Sequence, residues 1–118
     1  MEKIYTSFGW ARHGLYTVWK EEINFRREVF AGFLVIAASF YFNFSRVEWI
    51  IAIACITIVL IGEVVNTVVE DLCNKIEPHH DPMIGKVKDM AAGFMLLSLI
   101  GTSLMGLLLF GPHILALF

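Results

Sequence analysis

Glu63, Asn66 and Glu70 stand at i, i+3 and i+7 in a largely apolar stretch, so a helix through them carries all three on one face. A polar seam gluing two helices together would account for the amide. Two carboxylates within two turns need more: a cation, a proton or a basic partner must offset their desolvation. The chemistry open to such a face is divalent-cation binding, proton transfer, or the carrier site of a small ion- or proton-coupled transporter using Glu63 and Glu70. The last of these needs neither a nucleotide nor any other charged segment of the chain.

Other charged groups widen the choice. Glu21, Glu22, Arg26, Arg27 and Glu28 cluster just before an uncharged run, and Glu22 and Arg26 have the i, i+4 spacing of an ion pair. A carboxylate from this cluster and one from the Glu63–Glu70 face can share a hard divalent cation, which prefers oxygen ligands. Lys88 and Asp89 close a polar stretch, where a lysine serves either as a membrane-edge anchor or as a cation for phosphates. His79, His80 and Asp81 fall short of the three or four convergent ligands of a tight transition-metal site. No GxxxxGK(S/T) loop, kinase catalytic-loop signature or GxGxxG motif is present, which excludes the common soluble nucleotide folds.

The elements that must position these residues are helical and apolar. The 118-residue chain is 58% hydrophobic and 17% charged, against about a quarter charged for soluble domains. The bilayer is its expected solvent, and a net charge of −2 gives no reason to expect nucleic-acid binding. Residues 1–28 read as an amphipathic helix on the membrane surface. Tyr5, Phe8, Leu15 and Trp19 form its apolar stripe, Lys3, Arg12, His13 and Lys20 lie off it, and Trp10 and Trp19 suit the headgroup zone. Spans are expected at 29–45, 47–76 and 90–112, with a polar break at 44–48 and a loop at 77–89 marked by Pro78 and Pro82. Small residues at Gly93, Ser98, Gly101, Ser103 and Gly106 predict close helix approach in the last span. Cys55 and Cys73 are too far apart on one helix to bridge and read as buried thiols. Basic residues concentrate before residue 28 and in 75–89, so both charged stretches are expected in the cytoplasm, where ATP is found. The whole is one domain of class all-α, integral to the membrane.

With these residues placed, the sequence resembles the small prokaryotic diacylglycerol kinase family, which includes the undecaprenol kinases. The likeness runs from about Ser7 to about Leu107. It is carried by E-x-x-N-T-x-x-E at Glu63–Glu70, G-K-x-K-D-x-A-A-G at Gly85–Gly93, and E-x-N-F-R-x-E at Glu22–Glu28. The resemblance implies an ATP- and Mg2+-dependent lipid kinase of the bacterial inner membrane, a homotrimer with active sites shared between subunits. It implies Glu63 as general base on the lipid hydroxyl, with Asn66 positioning that machinery, and Glu22 and Glu70 as the magnesium ligands. Lys88 and Asp89 would contact the nucleotide and Trp10 would lie near it, while Arg26 and Glu28 would stand where the lipid enters. Asn74 departs from an Asp in many members. His80 and Asp81, in the nucleotide-side loop, depart from the usual Tyr-His. The Asn24-Phe25-Arg26 triplet and Ala91-Ala92-Gly93 resemble the undecaprenol branch, so a polyprenol is expected over diacylglycerol.

Overall fold

The computed structural model describes residues 2–77 and 79–118, with side chains from Thr6 onward. Pro78 and the side chains of Lys3 and Tyr5 lie outside the described residues. Four helices follow one another: α1 (Glu2–Glu21), α2 (Ile23–Tyr41), α3 (Arg46–Ile76) and α4 (Pro82–Leu115). α3 is the hub, with α4 along one side and α2 on another, and α1 packs against α2. The fold is an all-α membrane protein. α3 and α4 are each long and apolar enough to cross a bilayer, and large apolar side chains such as Phe33, Ile53, Leu97 and Leu108 point outward. An outward apolar surface is what lipid, not water, solvates.

Each boundary has a local cause. Residues 1–28 do not form one helix, because the backbone turns extended at Glu22 (φ −109°, ψ 107°). α1 makes its last bond from the Glu22 amide to the Val18 carbonyl, and α2 its first from the Arg26 amide to the Glu22 carbonyl. The Arg26 guanidinium secures the elbow by donating from Nη1 to the Trp19 and Lys20 carbonyls, at 2.8 and 2.9 Å. Those are the unsatisfied acceptors at the end of α1. Residues 23–28 are therefore the start of the helix that runs through Tyr41.

The α2–α3 turn lies at 42–45, a little earlier than the polar break expected at 44–48. Asn43 sits in the left-handed region (φ 52°). The Phe44 amide reaches back to the Ser39 carbonyl and the Asn43 amide to that of Phe40, a Schellman closure. Ser45 then caps α3 reciprocally with Glu48. Phe44, Ala52 and Leu109 form the core beside this turn, bringing α2, α3 and α4 together.

The polar loop is shorter than 77–89. Asp81 accepts from the Ile84 amide at 3.0 Å and Pro82 occupies the first helical turn, so α4 begins there. Pro82 starts a helix where the sequence reading took it to prevent one. Lys86, Lys88 and Asp89 consequently ride on a rigid helix. At 1.5 Å per residue α3 is about 46 Å long and α4 about 51 Å, well beyond a hydrocarbon core of about 30 Å. Of the small residues expected to allow close approach, Ser98 does so: a Cβ on Gly62 would stand 3.0 Å from the Met95 sulfur and 3.4 Å from the Ser98 hydroxyl. Gly32 is equally close to α3, its Cβ 3.1 Å from Ile56, whereas Gly93, Gly101 and Gly106 face open space.

Candidate active site

The elbow between α1 and α2 lies beside the latter half of α3. Glu63, about 26 Å along α3 from Arg46 at 1.5 Å per residue, is 5% exposed. It feels the charges of Glu22 and Glu70, and Glu28 in turn feels the charge of Glu63. Glu63 is thus the carboxylate that the other three each approach, Glu22 from the elbow, Glu28 from α2 and Glu70 from further along α3. Glu22 owes its place to the break in the helix, where its side chain makes no capping hydrogen bond.

These carboxylates have no basic counterion. The only ion pair among the described residues joins Glu48 to His113 at the opposite end of α3, at 2.5 Å. Two buried oxygens near the cluster lack partners, Glu28 Oε2 and Asn66 Oδ1. The Asn66 Nδ2 group donates to Glu70 Oε1 at 3.5 Å, long enough to be weak. An uncompensated set of hard oxygen donors is chemically suited to Mg2+. Among the described residues no three His, Cys, Asp or Glu side chains converge as a metal cage.

The other candidates are placed as follows. Lys88, half-buried on the second turn of α4, donates to Asn74 Oδ1 of α3 at 2.7 Å. Asp89 is exposed beside it, and His80 is exposed in the loop. Asp81 spends its carboxylate on the α4 cap. Trp10 is 72% exposed on α1 and makes no ring contact. Arg26 is engaged at the elbow, so its structural work is to fix the angle at which Glu22 is presented. Asn74 escaped the sequence reading as a partner of Lys88, since nothing local marks a pair fourteen residues apart across a loop. From Glu28, an apolar groove of about 320 Å3 runs between α2, α3 and α4, past Gly32, Ile56, Val59 and Thr102 to Leu109.

Fold and site together define an all-helical membrane protein with carboxylates gathered around Glu63, one of which, Glu28, lines an apolar groove. Residues 9–110 match the family described as prokaryotic diacylglycerol kinase. The chain belongs to that family, and is by membership a lipid kinase. Among its relatives, the undecaprenol kinase of Bacillus subtilis is 28% identical over 114 residues, covering 97% of this chain and 93% of that protein. The diacylglycerol kinase of Haemophilus influenzae is 28% identical over 109 residues, covering 91% and 92%. That of Escherichia coli K12 is 24% identical over 98 residues, covering 83% and 80%.

Proposed function

We propose that the chain transfers the terminal phosphoryl group of ATP to the hydroxyl of a membrane lipid alcohol, with undecaprenol preferred to diacylglycerol. The observation that carries this reading is the set of acids Glu22, Glu28, Glu63 and Glu70, gathered without a basic partner at the end of an apolar groove. Glu63 takes the hydroxyl proton. It is buried and carries no hydrogen bond, so its oxygens are uncommitted beside Glu28, which lines the groove. As the proton leaves, the lipid oxygen bonds to the terminal phosphorus and the bridging oxygen departs with ADP. Phosphoryl transfer asks for positioning and charge neutralisation more than covalent help. Glu22 and Glu70 would hold Mg2+, which would supply that neutralisation. Asn66 lies one turn from both Glu63 and Glu70 on the same face and assists their positioning, Lys88 and Asp89 face the nucleotide, and Glu28 meets the lipid headgroup where the groove begins. Trp10 and the His80–Asp81 loop border the nucleotide side, and Arg26 holds the elbow.

The placement suits a substrate that never leaves the bilayer. Glu63 falls near the edge of the hydrocarbon, and Glu70 about 10 Å further along the helix, in the headgroup layer. The proposal includes α2 as a third span, α1 on the membrane surface, both charged ends on the cytoplasmic side of the inner membrane, and a homotrimer with shared sites. The test is a side-by-side assay in mixed micelles with Mg2+, γ-labelled ATP, and either undecaprenol or diacylglycerol. Turnover should be faster with undecaprenol. Glu63→Gln should lower kcat by about a hundredfold or more, the lower range of general-base contributions. Undiminished activity in that variant would remove Glu63 as the base.

A further inference from the structure

A polar cavity lies on the loop side of the bundle. Its volume is about 150 Å3, with Glu77, His79, His80, Asp81 and Lys88 in its wall. Each acid in that wall accepts one backbone amide hydrogen. Glu77 Oε1 accepts from the His79 amide at 3.1 Å and Asp81 Oδ2 from the Ile84 amide at 3.0 Å. Neither is paired with Lys88. The ammonium of Lys88 has one partner, the Oδ1 of Asn74 at 2.7 Å, contributed by α3 from across the loop.

An amide oxygen and a carboxylate hold a lysine in different ways. Either fixes the ammonium in space, but only the carboxylate cancels its charge. A cation fixed by a neutral acceptor keeps its remaining donors and its full charge for an incoming anion. Lys88 would otherwise be a flexible four-carbon stem with several rotamers to freeze on binding.

We propose that Asn74 is a positioning residue that holds Lys88 toward this cavity without neutralising it, reserving the charge for the polyphosphate of the nucleotide. The inference rests on the lipid kinase reading for the identity of the anion, and on the contacts above for the device itself. Asn74→Asp is nearly isosteric and converts the contact into an ion pair, which the anion must then displace. An exposed pair is worth up to about 1 kcal/mol, which is about fivefold in an equilibrium constant. Asn74→Ala removes the hold and leaves the charge.

Two measurements test this on the full-length protein in micelles, with unfolding midpoints of all variants compared as a fold control. In the kinase assay, KM for ATP should rise about fivefold in Asn74→Asp and less in Asn74→Ala, with kcat changed by less than about twofold in both. In calorimetric titrations with inorganic pyrophosphate, free of lipid and Mg2+, affinity should fall from wild type to Asn74→Ala to Asn74→Asp. A purely structural role for Asn74 predicts the reverse, with the isosteric Asp tolerated better than Ala. That order in either measurement, or no pyrophosphate binding by the wild type, overturns the proposal. Absence of turnover on every lipid alcohol would overturn the kinase reading instead, and the pyrophosphate series would still decide the role of Asn74.

Discussion

Removal of the Arg26 side chain should release α1 from α2. One guanidinium nitrogen donates to two carbonyls, of Trp19 at 2.8 Å and Lys20 at 2.9 Å, at a helix end whose acceptors have no intrahelical partner. A hydrogen bond from a charged donor contributes about 1.5–3 kcal/mol when shielded, and a cation at a helix C-terminus about 0.3–1 kcal/mol. Arg26 is half-buried, so a total near 2 kcal/mol, toward the lower end, is appropriate. That is about a thirtyfold change in the equilibrium between docked and released elbow. Amide exchange read by mass spectrometry on peptides spanning residues 18–28 reports it directly, through the Glu22 amide bonded to Val18 and the Arg26 amide bonded to Glu22. Arg26→Ala should speed exchange there by about thirtyfold while leaving α3 and α4 unchanged. Activity should fall in step, because Glu22 loses its fixed position. Arg26→Lys, with a point charge and no planar fork, should recover part of both. Unchanged exchange in Arg26→Ala, with activity lost, would refute the clasp and return Arg26 to direct contact with substrate.

Two further outcomes follow from local contacts. Asp81→Ala should lose about 1 kcal/mol of α4 capping and fray the turns that carry Lys86 and Lys88, whereas Asp81→Asn should keep the cap and near-wild-type unfolding in micelles. Gly62→Leu should destabilise the chain by about 1–3 kcal/mol in denaturant titrations, because its first side-chain carbon already meets the buried Met95 at 3.0 Å. Leu97→Ala, on the outward face of α4, provides the control and should shift the midpoint far less.

The carboxylate–amide face was legible because periodicity alone places Glu63, Asn66 and Glu70 together, and the apolar stretches of α3 and α4 are too long to mistake. The elbow at Glu22 was not. No glycine or proline marks it, and the break is held by a side chain four residues further on. Pro82 illustrates a different ambiguity, since proline both stops helices and starts them. Asp81 immediately before it, an N-cap residue preceding a first-turn proline, was the signal that decides. The α2–α3 turn was likewise written in Ser45 and Glu48 at capping-box spacing, with Asn43 suited to a left-handed residue. Gly32 and Gly62 looked like any other glycines in apolar helices. Their role depends on which residue of a neighbouring helix lies opposite, and no single segment contains that information. The α4 glycines matched the small-residue pattern more closely, yet face open space in the single chain.

The turn at 42–45 bears on how the protein enters the membrane. In the proposed orientation it is the segment that must travel through the bilayer to the far side. The amides of Phe42, Asn43, Phe44, Ser45, Glu48 and Trp49 all donate to acceptors within the turn or the adjoining helix ends. A connection that satisfies its own backbone carries few bare polar groups into hydrocarbon, each of which would cost several kcal/mol. With only Arg46 as a fixed positive charge nearby, α2 and α3 are suited to insertion as one closed hairpin. Substitutions at Asn43 or Ser45 should therefore lower the yield of inserted protein well before they alter the activity of the molecules that do insert.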